Sequence, residues 1–133
     1  MSPPAGNVLI VEDDAPTREM LATLLAGHGF HPVAAEDGLE ALHLLRAMRR
    51  RAPDLPCLVL LDLTMPRLGG DAFRRAQLND PTVSAVPIAV MSGDINVEQR
   101  AHELGAVATV IKPIDLELLL GVVRAHCSTT PPE

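Results

Sequence analysis

The chain has 133 residues, which fits one ordinary domain able to bury a core without metal or disulfide staples. Hydrophobic residues make up 47%, with no Trp, no Tyr and only Phe30 and Phe73, so the core is expected to be aliphatic. The net charge of −6 argues against direct nucleic-acid binding, which needs clustered Lys and Arg.

Residues 1–6 and 128–133 are rich in Pro, Ser and Thr and are expected to be flexible tails around a domain at 7–127. Asn7–Val11 is short, continuously apolar and ends in acids, the pattern of a buried strand. Pro16–Ala26 reads as a helix with Met20, Leu21, Leu24 and Leu25 on one face, stopped by Gly27 and Gly29. Pro32–Ala35 is a weak second strand, and Gly38–Arg51 a helix burying Leu39, Leu42 and Leu45. Cys57–Leu61 is the clearest strand, followed by Asp62, and Met65–Gly70 is a loop by its Pro and Gly content. Asp71–Leu78 is a short helix, Pro87–Met91 a fourth strand, Glu98–Leu104 a short helix and Thr109–Ile111 a fifth strand. The last helix starts near Asp115, with Leu116, Leu119, Leu120 and Val123 spaced as one face. Strands alternating with helices in this way predict an α/β fold, a parallel sheet covered on both faces.

Cys57 and Cys127 stand 70 positions apart with no paired framework or metal spacing, so a reducing cytoplasm is the expected compartment and Cys57 reads as a core residue. Met1–Asn7 lacks the features of a signal peptide, and no apolar run reaches membrane-spanning length. Arg46, Arg49, Arg50 and Arg51 read as the solvated end of a helix. His28 and His31 have no neighbouring Cys or acid in sequence to complete a metal site.

The polar residues of interest gather after the strands. Glu12, Asp13 and Asp14 follow the first, Asp62 and Thr64 the third, Ser92, Gly93 and Asp94 the fourth, and Lys112 the fifth. In open α/β sheets that edge is the ligand-binding edge. Carboxylates gathered there repel one another unless a cation joins them, and hard oxygen ligands with room for water suit Mg²⁺. Asp14 reads as a helix-entry residue. An Asp carboxylate can act as a nucleophile, and phosphoryl transfer needs mainly in-line placement and charge neutralisation. Lys112 supplies a fixed cation and Ser92 a hydroxyl for that chemistry.

VLIVEDDAPTRE, LLDLTMPRLGG, AVMSGD and IKP resemble, in order, the motifs of the receiver domain of two-component response regulators, over about residues 7–126. The resemblance implies a flavodoxin-like, doubly wound, five-stranded parallel sheet of order 2-1-3-4-5 with five helices. It implies Mg²⁺ held by Glu12, Asp13, Asp62 and the backbone carbonyl of Thr64, with Glu12 acting through water. Asp62 is then the phosphoacceptor, Ser92 hydrogen-bonds the phosphoryl group, and Lys112 pairs with it. The implied partners are a sensor histidine kinase or histidine phosphotransfer protein. A downstream protein would read the face formed by helix four, strand five and helix five, with the chain a monomer or weak dimer. No membrane partner is expected.

The chain departs from the family where an aromatic switch residue often stands, three positions before the Lys; here that position is Thr109. The stretch from Ser92 to Lys112 is about two residues shorter than is common, so the fourth helix is expected to be short or displaced. These departures motivate an alternative: a receiver-fold interaction module that works without phosphate. An Asp-nucleophile phosphatase would want an acid two residues after Asp62, where this chain has Thr64.

Overall fold

The computed structural model describes residues 6–50, 55–63 and 69–127. In chain order the elements are β1 (Asn7–Val11), α1 (Ala15–Gly27), β2 (His31–Ala35), α2 (Gly38–Arg49), β3 (Leu58–Asp62), α3 (Gly70–Leu78), β4 (Ile88–Ser92), α4 (Val97–Leu104), β5 (Ala108–Ile111) and α5 (Leu116–His126). The strands form one parallel sheet of order β2-β1-β3-β4-β5. This is the flavodoxin-like, doubly wound arrangement, and its order reverses between β1 and β3.

Successive strand residues point to opposite faces, so a strand buried on both sides must be apolar at every position. Leu9, Val11, Val59, Leu61, Ile88 and Val90 face one side, where they meet Leu42, Leu45, Phe73, Val97 and Ala101 of α2, α3 and α4. Val8, Ile10, Leu58, Leu60, Ala89, Met91 and Val110 face the other, against Leu21 and Leu25 of α1 and Leu119, Leu120 and Val123 of α5. Each buried Leu or Val contributes roughly 1.5–3 kcal/mol of transfer free energy, which makes these layers the main support of the central strands.

Side-chain caps start three of the helices. Asp14, Asp37 and Asp115 each accept backbone N–H bonds from the first turns of α1, α2 and α5, which satisfies donors the helix leaves open. Gly105 ends α4 at φ 69°, a left-handed conformation that favours glycine. On α3, the buried Arg74 donates through Nε to Leu104 O at 2.9 Å and through Nη1 to Gln77 Oε1 at 2.8 Å, tying α3 to the end of α4.

The helix faces are narrower than the sequence pattern implies. Met20, Leu39 and Leu116 are exposed, while Ala41 joins Leu42 and Leu45 inside. On α2 the stripe runs Gly38, Ala41, Leu42 and Leu45, so Leu39 falls beside the sheet contact and not in it. Gly70 belongs to α3 and not to the preceding loop; residues 65–68 of that loop, like Thr64, Arg51 and the tail residues 1–5 and 128–133, lie outside the described residues. Arg46 and Arg49 occupy the last turn of α2, and Arg46 pairs with Asp80 at 3.2 Å.

Gly70 packs against the end of β3. An added Cβ would come 2.8 Å from Leu63 Cδ2 and 3.1 Å from the Asp62 carbonyl oxygen. Alanine ordinarily favours a helix over glycine by about 1 kcal/mol, but the overlap here opposes that gain at a backbone atom. Gly70→Ala is expected to destabilise by about 1 kcal/mol, read as a lower urea midpoint at unchanged m; a higher midpoint would show that the gap is larger than the geometry indicates.

Candidate functional site

The carboxyl ends of β1, β3, β4 and β5 deliver polar groups to one edge of the sheet. Glu12 follows β1 and is held by its own N–H, which donates to Ala35 O at 3.0 Å. Asp62 is the last residue of β3, inside the strand ladder and not beyond it. Ser92 likewise ends β4, next to Met91, the cross-strand partner of Asp62. Lys112 follows β5, and its N–H donates to Ser92 O at 2.9 Å. The Lys112–Pro113 peptide bond is cis.

Glu12 and Asp62 are buried and Asp13 is exposed, and each offers one carboxylate oxygen within 4.8 Å of the others. Lys112 Nζ lies 3.0 Å from Glu12 Oε1 and 3.4 Å from Asp62 Oδ1. Ser92 is fully buried, and its Oγ accepts the Asp94 N–H at 3.0 Å. Asp94 is exposed, at the surface beside this hydroxyl. Thr64 lies outside the described residues.

One lysine faces two buried carboxylates, and the charge balance shows in Glu12. Burial, then its hydrogen-bonded contact with Asp62, pushes the Glu12 carboxyl up to about 7, although Lys112 opposes the shift. Burial also works against the Lys112 charge, but Glu12 and Asp62 more than offset it and hold the ammonium above its ordinary value. Asp14 is held below the carboxylate range by its bonds from Thr17, consistent with its place as the α1 cap.

Two features escaped the sequence. Arg18 on α1 turns back over the acid loop, donating through Nη1 to Glu12 O at 2.9 Å and Asp13 O at 3.5 Å. Its acceptors are backbone carbonyls, so no residue pattern marks the contact. The second overturns the reading of unpaired cysteines: Cys57 and Cys127 form a disulfide, with Cα atoms 5.4 Å apart. The histidines form no such cluster: His28 contacts Arg124 at 3.4 Å, and among the described residues the one group that could hold a metal ion is Glu12, Asp13 and Asp62.

Thr109, where the sequence departs from the resembled pattern, donates through Oγ1 to Glu98 Oε1 of α4 at 2.7 Å. The two side chains border a cleft of about 240 Å³ between α4 and β5, lined also by Ala101, His102 and Val107. The helix α4 itself has 8 residues.

A doubly wound sheet with paired acids, an Asp, a Ser and a Lys on successive strand ends defines a class of α/β signalling domain. Residues 8–124 match the family described as response regulator receiver domain, and the chain belongs to that family. It is a receiver domain of two-component signal transduction. It is 38% identical over 128 residues to "Response regulator MprA" of Mycolicibacterium vanbaalenii, a match covering 95% of this chain and 52% of that protein. The chain thus spans about half the length of the curated relatives it matches. Among solved structures, the chemotaxis protein CheY4 of Vibrio cholerae superposes with TM-score 0.76 at 26% identity, covering 91% of this chain and 98% of that one. The receiver domain of a signal transduction histidine kinase from Syntrophus aciditrophicus gives 0.77 at 28% identity, covering 91% and 89%.

Proposed function

We propose that this chain, with residues 7–127 as the working unit, accepts a phosphoryl group on Asp62 in a Mg²⁺-dependent reaction. The donor is the phosphohistidine of a sensor histidine kinase or histidine phosphotransfer protein. The observation that carries the reading is the meeting of Glu12, Asp13 and Asp62 within 4.8 Å, with Lys112 Nζ 3.4 Å from the Asp62 carboxylate.

The residues fit a hard divalent ion. All the donors are carboxylate oxygens, two of them buried, and burial together with the neighbouring Asp62 raises the Glu12 carboxyl, a cost that a bound cation would relieve. Asp13 and Asp62 would hold Mg²⁺ directly, with Glu12 acting through water and the Thr64 carbonyl completing the set. When bound, the ion neutralises charge on the phosphoryl oxygens. An Asp62 carboxylate oxygen attacks phosphorus, the P–N bond breaks, and the imidazole nitrogen leaves with the bonding pair. Lys112 balances the charge of the acyl phosphate. Ser92 Oγ already accepts the Asp94 N–H, which leaves its O–H to donate to a phosphoryl oxygen.

The domain acts as a switch and not as a conventional enzyme, although small phosphodonors would also load Asp62 and the acyl phosphate would hydrolyse slowly. Phosphorylation shifts a two-state equilibrium of the loops beside Ser92. A partner reads the face of α4, β5 and α5, where Val107, Ile111 and Leu118 are exposed. The setting is cytoplasmic; among the described residues no helix is long and apolar enough to cross a membrane.

The test is incubation with Mg²⁺ and acetyl phosphate or phosphoramidate, read by intact-protein mass spectrometry. A gain of one phosphoryl mass is expected, lost in Asp62→Asn and with a chelator. No gain in the wild type would refute the reading. Partner binding indifferent to Asp62→Asn would instead support a phosphate-independent interaction module.

A further inference from the structure

At the pole of the sheet opposite the acid cluster, the start of β3 meets the end of α5. Cys57 stands immediately before β3, and Cys127 is the residue that ends α5. β3 separates Cys57 from Asp62 by roughly 17 Å at the usual strand rise. Cys57 is half-buried and Cys127 is buried, 3% exposed, in the core cluster with Leu25, Phe30, Leu58 and Val123. Their sulfurs are joined across 70 positions of sequence. Gly6 crosses directly above them: a Cβ there would come 2.6 Å from Cys57 Sγ and 3.3 Å from Cys127 Cβ.

We propose that Cys57 and Cys127 are a reversible modification site, taking a disulfide co-reactant of the glutathione class, whose oxidation ties the last turn of α5 to the sheet. The proposal rests on the functional reading in one respect. In the cytoplasm expected of this receiver domain, a disulfide is transient and redox-sensing, not permanent. The geometry makes the tether local. After Val123, residues 124–126 are exposed, and Cys127 is the next side chain to enter the core. Without the bond, that turn is held by its helical hydrogen bonds, including Cys127 N–H to Val123 O at 2.7 Å, and by burial of one small thiol.

The exchange balances without any redox cofactor. The Cys57 thiolate, the more exposed of the two, attacks one sulfur of the small disulfide and releases one thiolate. The Cys127 thiolate then attacks the Cys57 sulfur of the mixed disulfide and releases the second. The protein loses two electrons and two protons; the co-reactant gains them as two thiols. Two equivalents of the small thiol reverse the sequence.

The experiment equilibrates the full chain in glutathione buffers from fully reduced to fully oxidised, blocks free thiols by alkylation and reads mass, amide exchange and melting. Both cysteines should pass from alkylated to protected in one two-electron transition. In the reduced form the amides of residues 124–127 should exchange about tenfold faster or more, and Tm should fall by roughly 10 °C, since a bond closing so long a loop constrains the unfolded chain. Cys57→Ser and Cys127→Ser should match the reduced form in amide exchange and melting, and Cys127→Ser should in addition trap the mixed disulfide on Cys57 in oxidised glutathione. Thiols that stay alkylatable in oxidised glutathione, a bond that survives reduced glutathione, or superimposable exchange profiles would each overturn the proposal. Loading of Asp62 by acetyl phosphate, measured in both states, should be equal. If loading fails in both while the thiol transition persists, the functional reading falls and the modification site stands.

Discussion

Glu12→Gln is expected to make the ion-free protein more stable at pH 8, by about 2 kcal/mol, while weakening Mg²⁺ binding about tenfold or more. Glu12 is fully buried and its carboxyl is pushed up to about 7 from an ordinary 4.5. Between those values the folded chain holds a proton that the unfolded chain has lost. Stability of the wild type therefore falls as pH rises from about 4.5 to 7 and levels off above. The full difference corresponds to roughly 3 kcal/mol, and the dehydrated amide of Gln returns part of it. Urea midpoints of the two proteins in chelator should coincide near pH 4.5 and separate with rising pH. Midpoints that stay parallel would show that Glu12 ionises normally. The same proton links to the ion: Mg²⁺ should bind more tightly as pH rises toward 7 and should release a proton on binding below it, which calorimetry in buffers of different ionisation enthalpy would detect.

Removing the cation has the opposite sign. Lys112→Met is expected to destabilise the ion-free protein by about 2 kcal/mol at pH 8, because the buried Glu12 and Asp62 lose the ammonium that lies between them. The side chain of Lys112 is 28% exposed, so water replaces part of what a fully buried ammonium would supply. At pH 5 the cost should shrink, since Glu12 then carries a proton. Loading of Asp62 from acetyl phosphate should slow on the order of a hundredfold, as for loss of a single charge-stabilising donor. Equal losses at pH 5 and pH 8 would mean that Lys112 acts through packing alone.

These two variants separate what the acid cluster does for folding from what it does for function. The cluster is arranged against stability: two buried carboxylates share one ammonium. That cost persists in the folded chain because the flanking strands are held by apolar layers on both faces. Among the described residues one ammonium faces these two carboxylates, an arrangement that suits the proposed divalent cation, whose binding would relieve their repulsion.

The sheet and its polar edge were legible in local pattern. Runs such as VLIV at 8–11 and LVLL at 58–61 are apolar at every position because each strand is covered on both sides. Strand ends were blurred by a residue: Asp62 and Ser92 read as the positions after their strands, yet both lie in the ladder, since backbone hydrogen bonding continues past the last apolar side chain. Helix faces were less legible. Met20, Leu39 and Leu116 keep helical spacing with buried leucines but are exposed, because where the sheet ends, and not the spacing, decides how wide a stripe is covered.

What followed from chain order alone was therefore the alternation of elements and the identity of the groups arriving at the carboxyl ends of the strands. Three-dimensional packing decided the rest. It brought Cys57 to Cys127 across 70 positions by laying the end of α5 over the start of β3. It aimed Arg18 at backbone carbonyls that no side-chain pattern marks. It also displaced the titration of Glu12 toward neutrality, because desolvation and through-space charge depend on what surrounds a carboxyl group and not on its neighbours in sequence.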